Sequence, residues 1–433
     1  MKRFFLLTLL ASGCCLHAQT IGNSPYAAFG IGDVKYDNTV ENSAMGGIST
    51  AYIWDFNGGF NFKNPAANQN VELTTLKIEG TNENNFFKSN YNNLSATKHS
   101  TYLSNISLSF PISKKVKFGL GYQPYSTKDY SLYTNNTLSA GNVKGTNFTG
   151  NGTINMVQTA ASYSVSPEFS LGLRANYYFG NIYNIEELAY NNAELINGYE
   201  TKNKVKSFNF TLGTTYQKKY KDDRKLTLGA TASFGTTGTM ETNYTNSTYY
   251  YVDQTTKSYI SIIEQKNSSD KNLIPTEASV GVGYGHDTKW FLSTQLDYRK
   301  GENIQFLGKS FSFNNSYRIS AGGWYLPNYN NFRNYFSRVV YRYGFYYEKG
   351  NLNLNGLGEV NGVGGKDINK FALTAGVTLP FQKSNVSRMS GIDLGIEFGK
   401  RGTLQNNLIN QNFINLSIGL NFADKWFVKR QFD

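Results

Sequence analysis

The sequence predicts an all-β chain, a 14-stranded antiparallel transmembrane β-barrel with an N-terminal hatch (plug) in the lumen. Strict alternation is the first observation behind this. In Phe413–Phe422, Ile414, Leu416, Ile418, Leu420 and Phe422 share one face, while Asn415, Ser417, Gly419 and Asn421 share the other. A strand with one apolar and one polar face separates lipid from a wet interior. The same pattern recurs upstream, which is the second observation. The third is that the connections alternate between short turns and long polar segments, as expected where periplasmic turns are tight and extracellular loops are long.

Fourteen runs have about the length that crosses an outer membrane at a tilt. They fall near 71–80, 101–112, 115–125, 153–165, 169–181, 204–218, 224–236, 274–285, 289–300, 314–326, 337–349, 366–380, 389–401 and 411–423. The second opposes Ile106, Leu108, Phe110 and Ile112 to Asn105, Ser107 and Ser109. The third opposes Val116, Phe118, Leu120 and Tyr122 to Lys117, Gly119, Gly121 and Gln123. In the fifth, Phe169, Leu171, Leu173, Ala175, Tyr177 and Phe179 oppose Ser170, Gly172, Arg174 and Asn176. In the seventh, Leu226, Leu228, Ala230, Ala232 and Phe234 oppose Thr227, Gly229, Thr231 and Ser233. These periods are of two residues, not of a helix. Short links such as Ser113-Lys114, Ser166-Pro167-Glu168 and His286-Asp287-Thr288 follow even-numbered strands. Long segments near 81–100, 126–152, 182–203, 237–273, 301–313, 350–365 and 402–410 follow odd ones. An even strand count then puts both termini in the periplasm.

Aromatic pairs flank many runs: Tyr122 and Tyr125, Tyr177 and Tyr178, Tyr325 and Tyr329, Tyr346 and Tyr347, Trp426 and Phe427. Their amphipathic rings suit the head-group layer and are expected to form interfacial girdles. Many lysines and arginines gather in the expected periplasmic turns, among them Lys114, Lys115, Lys218, Lys219, Lys221, Arg224, Lys225, Lys383, Arg388, Lys425, Lys429 and Arg430.

Residues 1–18 read as a secretory signal peptide: Lys2 and Arg3, the apolar run Phe4–Leu10, and Leu16-His17-Ala18 before Gln19. Ala11-Ser12-Gly13-Cys14 offers an alternative cut resembling a lipoprotein box, without the usual leucine three residues before the cysteine. Both cysteines, Cys14 and Cys15, lie in this leader, so the mature chain has no disulfide and no thiolate ligand or nucleophile. After the leader no run of about 18 apolar residues exists, which excludes a helical membrane protein. The formal net charge of +12 is dispersed, and an exported chain rarely meets nucleic acid, so a nucleic-acid partner is not expected. Expected localisation is the Gram-negative cell outer membrane, with its lipid as the first partner.

Residues 19–70 do not alternate and are read as the hatch, with 71–433 as the barrel. Their landmarks are Asn42-Ser43-Ala44-Met45-Gly46-Gly47 and Asn64-Pro65-Ala66. A fourteen-stranded lumen is too wide for side chains alone to fill, so an inserted segment is physically sensible. Small residues at 44–47 would let it approach the wall closely.

Motifs that look like chemistry reduce to strand or loop. Gly281-Val282-Gly283-Tyr284-Gly285 continues the alternation of Ala278, Val280, Val282 and Tyr284 and is read as inward glycines in a strand. Gly362-Val363-Gly364-Gly365-Lys366 lacks the phosphate-loop spacing and has Asp367 where Ser or Thr should stand. His99 and His286 have no partner ligand at metal spacing, Glu186-Glu187 and Asp222-Asp223 read as solvated turns, and no serine stands in a nucleophile elbow. Neither an enzyme nor a cofactor or metal site is expected. More informative are the charges that the strand phase turns inward: Arg174, Asp297, Arg299, Arg318, Arg342, Asp393 and Glu397. A lipid-facing Arg at midplane would cost about 2–4 kcal/mol, so the lumen is their natural side, where ion pairs hold the hatch and each other, with direct ligand binding as the alternative role.

The chain resembles the FadL-like outer-membrane transport proteins, in the divergent branch common in Bacteroidetes. The likeness rests on Asn42, Ala44-Met45-Gly46-Gly47 and Asn64-Pro65-Ala66, and on Asn23-Ser24-Pro25-Tyr26 with Phe29-Gly30-Ile31-Gly32-Asp33. It rests also on Tyr317-Arg318-Ile319-Ser320-Ala321-Gly322-Gly323 and on the tail Asp424–Arg430. The resemblance covers essentially the whole mature chain. It implies passive diffusion of a hydrophobic small-molecule ligand, entering by an extracellular apolar groove and leaving through a gap in the wall. The loops here are polar and Asn-rich and carry no matching ligand pocket. Two functions follow: a channel for hydrophobic small molecules, or a non-transporting barrel that scaffolds an assembly or secretion complex with other envelope proteins.

Overall fold

The computed structural model describes residues 22, 24–35, 39–54, 59–90, 93–137, 142–235, 239–253, 255–271, 274–306, 309–328, 330–331, 333–355, 359–360, 364–381 and 390–425. The signal peptide, Tyr329, Gly362, Val363, Lys383, Arg388, Trp426, Phe427, Lys429 and Arg430 lie outside them.

Fourteen antiparallel strands close into a barrel. They are β1 Thr74–Ser89, β2 Ser95–Pro111, β3 Val116–Thr127, β4 Val143–Ser164, β5 Phe169–Tyr190, β6 Ile196–Lys219 and β7 Arg224–Gly235, followed by β8 Glu277–His286, β9 Trp290–Arg299, β10 Ser316–Tyr325, β11 Val340–Lys349, β12 Lys370–Pro380, β13 Gly391–Gly402 and β14 Ile409–Asp424. Closure is complete because β14 pairs along its whole length with β1, from Ile409 opposite Ser89 to Asp424 opposite Thr74. The alternation explains why these segments are strands: β6 shows Phe208, Phe210, Leu212 and Tyr216 outward and buries Ser207, Asn209, Thr211 and Thr215 inward. Lysines bound this apolar band at Lys206 and Lys218, both exposed.

The wall rises far beyond the membrane on one side. β4, β5 and β6 have 22, 22 and 24 residues, about twice what a crossing needs. Tyr130–Thr137 pairs with β4, and Thr239–Tyr251 pairs with both β6 and Lys257–Lys271. The segments near 126–152, 182–203 and 237–273, expected as polar loops, are therefore mostly strand. Their Thr and Tyr residues suit extended backbone, but above the membrane the outer face meets water and the apolar period vanishes.

Aromatic pairs also divide differently from expectation. Tyr325 and Tyr347 are exposed on the outer face, whereas Tyr125, Tyr178 and Tyr346 are buried inside. Adjacent residues of a strand point to opposite faces, so one of each neighbouring pair must leave the girdle.

One seam is partly open. β2 and β3 pair only over Ile106–Pro111 and Lys117–Tyr122, and above that β3 turns away at a register shift between Pro124 and Ser126. Proline lacks a ladder donor and tolerates such a bulge. β3 there pairs instead with Asp33–Val34, through Thr127 and Ser126.

Candidate functional site

Residues 39–54 and 59–71 lie against the inner wall near the end with short turns. The single-turn helix α1, Val40–Ser43, is capped by the Thr39 hydroxyl, which accepts from Asn42 N–H at 3.4 Å. The turn after it brings backbone to wall: Gly46 N–H donates to Thr374 Oγ1 at 2.9 Å, and Arg318 Nη2 donates to Gly46 carbonyl at 3.1 Å. Ser49 and Thr50 N–H both donate to Gln295 Oε1, at 2.9 and 2.8 Å. Asn64 Nδ2 donates to Thr50 and Thr214 carbonyls, and Ala66 carbonyl accepts from Thr215 and Ser162. Such partners are obligatory for backbone groups removed from water.

Glycines in the wall make the approach possible. A Cβ on Gly229 would overlap the Thr50 carbonyl oxygen, one on Gly344 or Gly322 would overlap Met45 backbone, and one on Gly213 or Gly172 would overlap Asn64-Pro65-Ala66. Reciprocally, a Cβ on Gly46 would lie 2.6 Å from the Phe345 carbonyl oxygen. Gly281 and Gly283 of the GxGxG run face inward against Ala51. Met45, Ile48, Tyr52, Phe291, Trp324, Leu326 and Val340 form one apolar cluster beneath them.

At the junction with β1 and β13, Glu41, Glu79 and Asp393 offer carboxylate oxygens within 4.8 Å of one another. A metal could use such a set, but the Lys77 ammonium pairs with Glu41 there and supplies the positive charge. Glu79 also accepts from Val40 N–H at 3.1 Å, tying the helix start to the wall. Arg342 bonds Thr378, which bonds Asp393, and its guanidinium lies 4.9 Å from the Trp54 ring centre.

Residues 24–35 cross the lumen nearer the tall side. Tyr26 and Phe29 join an apolar cluster with Phe87, Leu352, Leu354, Ile368, Leu408 and Ile409. Ile31 joins a second, opposite cluster with Tyr125, Ile154, Met156, Tyr178, Val205 and Met240. Burial pushes the Tyr26 phenol up to about 12. Partial burial raises the Asp33 carboxyl, but Arg401 at 2.7 Å more than offsets this and holds it below the usual range. At the open seam, Lys35 reaches Glu83 on β1 at 2.8 Å, and Tyr102 on β2 donates to the same carboxylate at 2.7 Å.

Between these two layers lies a cavity of about 260 Å³. Its charged lining consists of Lys35, Lys63, Arg299, Arg318, Lys370 and Arg401 against Asp33, Glu83, Glu277, Asp297, Glu348 and Glu397. Arg299 pairs with Glu277 at 2.6 Å, and Lys63 lies 3.6 Å from it. Arg318 is 3.6 Å from Glu348 and stacks 3.6 Å from the Tyr346 ring centre. Glu397 accepts from Asn415 at 2.9 Å and from Tyr346, with Lys370 at 3.6 Å. Apolar groups share the lining with these charges, among them Phe29, Phe313, Leu352, Ile368 and Phe413.

The structure thus puts Arg299, Arg318, Asp297 and Glu397 around the cavity and Arg342 and Asp393 below it, at the Glu41 junction. Arg174, buried beside Gln158 and Thr211, lines a smaller adjoining cleft that it shares with Lys63, Glu277 and Arg299. Of the expected arginine donors, Arg318 touches 39–71 backbone directly. Gln295, Thr374, Glu79, Lys77 and Arg401 were missed; each stands at an inward phase, which is the signal that could have found them. His99 is exposed on β2 beside Asn84, and His286 bonds the neighbouring Asp287 carbonyl in a short turn. Glu187 accepts from Tyr249 and Tyr251 at 2.5 and 2.6 Å in the tall wall, and Asp222 pairs with Arg224 at 2.6 Å.

The BamG family profile matches residues 1–433. Among solved structures, a FadL homologue of Pseudomonas aeruginosa superposes with a TM-score of 0.60 at 12% identity, covering 90% of this chain and 99% of that one. The Pseudomonas putida toluene transporter TodX superposes at 0.56 with 14% identity, over 90% and 98%. The Ralstonia pickettii toluene transporter TbuX does so at 0.54 with 13%, over 89% and 98%. At these identities the likeness shows the fold, that of outer-membrane transport channels. No match was found among curated proteins.

Proposed function

The chain belongs to the BamG family, and from that membership we propose that it is a non-conducting barrel subunit scaffolding an outer-membrane protein assembly complex. The observation that carries this is the double closure of the lumen. Residues 39–71 act as the hatch floor, bonded through backbone to Thr374, Gln295 and Arg318, and residues 24–35 act as a cover. The space between them holds six cations facing six carboxylates, which an apolar solute would have to desolvate. The family name points the same way.

Affinity purification of the full chain in mild detergent tests the reading. Stoichiometric co-purification with other envelope proteins is the expected result, together with no acceleration of labelled apolar compounds into proteoliposomes. Recovery as a lone monomer that speeds such uptake would overturn it.

A second reading, a channel for hydrophobic small molecules, is favoured by one observation: the seam between β2 and β3 opens beside the cavity, and residues 33–35 close it. If the channel reading holds, Lys35→Ala should raise uptake of an aromatic hydrocarbon probe in proteoliposomes.

A further inference from the structure

On the outer face of β6, the outward positions read Lys202, Lys204, Lys206, Phe208, Phe210, Leu212 from the tall side toward the short turns. The three lysines are exposed, occupy successive outward positions, and begin where the lipid-facing band ends. At the tall ends of β1, β11 and β13 an exposed lysine stands alone instead: Lys88, Lys349 and Lys400.

Outward positions of a strand repeat every ~6.7 Å. At a tilt of about 40° the three ammonium groups therefore span on the order of 10 Å of height above the acyl layer. That is the depth of a lipid head group. Donors on the neighbouring strands flank the row: Asn181 and Tyr183 on β5 stand opposite Lys204 and Lys202, and Asn243 stands opposite Lys202 from the other side. Lys202 lies 5.4 Å from the Tyr183 ring centre, so its stem is held against the wall. Two carboxylates stand by the row: Glu241, 3.9 Å from Lys204, and Glu200, the next residue on this face beyond Lys202, which is paired with Lys257 at 2.6 Å. With Glu200 matched by Lys257, the three lysines face one further acid, Glu241, and the patch stays positive.

We infer that this row is a binding site for the phosphate groups of an outer-leaflet lipid whose acyl chains lie on Phe208 and Phe210. The lipid is favoured over free phosphate because the cationic row continues the acyl-facing stripe of the same strand without a break. Chains on the aromatic rings carry the head group to the lysines. Attraction of basic residues to an anionic lipid surface falls off within a Debye length, so only groups this close to the band gain from it.

The test uses the full chain in detergent, with a phosphorylated lipid A-type glycolipid, the same glycolipid with its phosphates removed, and inorganic phosphate alone. Retained copies are counted by native mass spectrometry and thermal midpoints are followed alongside. The phosphorylated lipid should bind about tenfold more tightly than its dephosphorylated form, weaken with salt, and lose that margin in a Lys202→Gln, Lys204→Gln, Lys206→Gln variant. Lys218→Gln, at the opposite end of the band, should keep it, and inorganic phosphate should not shift the midpoint. Heat-modifiable gel mobility confirms that each variant is a folded barrel. Equal retention of the two glycolipids, an unchanged margin in the triple variant, or a midpoint shift with inorganic phosphate alone would each overturn the proposal. It rests on the barrel wall and not on the assembly role, so its failure leaves that role standing.

Discussion

Residues 39–54 and 59–71, the proposed floor, and residues 24–35, the proposed cover, meet the inner wall by different means. Backbone meets backbone in the floor: wall glycines admit Met45, Thr50 and Pro65, and Gln295 and Thr374 bond peptide groups directly. The cover joins the wall by backbone only at its end, where Asp33–Val34 pair with Ser126–Thr127 and Lys35 N–H donates to the Tyr125 carbonyl; elsewhere Tyr26, Phe29 and Ile31 sit in separate apolar clusters, and Asp33 and Lys35 add ion pairs. A backbone contact of the first kind has one geometry, whereas side-chain contacts of the second kind can release singly. The difference teaches that one short segment inside a barrel can hold a fixed layer and a separable layer.

The largest effect expected from this contrast is on conductance. Deleting residues 21–68 should leave a folded barrel that passes small ions in planar bilayers, because a fourteen-stranded lumen lies between filled small barrels and open porins. Deleting only residues 24–35 should leave conductance low, since the floor remains. Equal conductance of the two deletions would break the comparison.

Next comes Gly229→Val. Its side chain would meet the Thr50 carbonyl, a backbone atom that cannot swing aside, and overpacking of this kind costs about 1–3 kcal/mol or more. The thermal midpoint should fall by several degrees, and an unchanged midpoint would show that the floor yields.

A smaller loss is expected for Gln295→Ala, which strips the acceptor from the Ser49 and Thr50 N–H groups. An unsatisfied buried donor costs about 1–3 kcal/mol, and hydrogen exchange at those two amides should accelerate while the cover is unaffected. Faster exchange throughout 24–35 as well would mean the layers are one unit.

The smallest concerns pH. Asp33 has a folded pKa lowered by Arg401 despite its burial, so the pair's contribution is complete above the ordinary carboxylate value and is lost only as pH falls through the lower, folded value. Arg401→Gln should leave the half-buried Asp33 carboxyl without its nearest cation, so the cover should loosen at a higher pH than in the parent. Exchange of residues 24–35 followed from pH 6 to 3 checks this, with the floor amides as internal control.

Much of the architecture was legible in one dimension because a period of two is a local property. Leu416 and Ile418 announce their lipid face with no knowledge of the neighbouring strand, and the same phase sets Arg318 and Glu397 toward the lumen. The tall wall was not legible, since Asn147, Thr149 or Asn203 give no apolar beat once both faces leave the membrane. Nor were the floor's partners. Gly229 and Thr50 are distant in sequence, and nothing in either residue names the other; Gln295 looks like any inward polar residue until the Ser49 and Thr50 amides arrive. Periodicity reports which face a residue takes and is silent about what enters from the far end of the chain.

The pairing of β14 with β1 along their whole length fixes an order of events. The floor touches β1, β5, β6, β7, β9, β10 and β12, so the wall must curl around a segment synthesised before any of it. Contacts of such sequence separation make folding slow, and an open sheet waiting to close exposes both terminal edges. Zipping of Ile409–Asp424 onto Thr74–Ser89 is then the natural final step, and the enclosed segment serves as the mandrel on which the cylinder is wound.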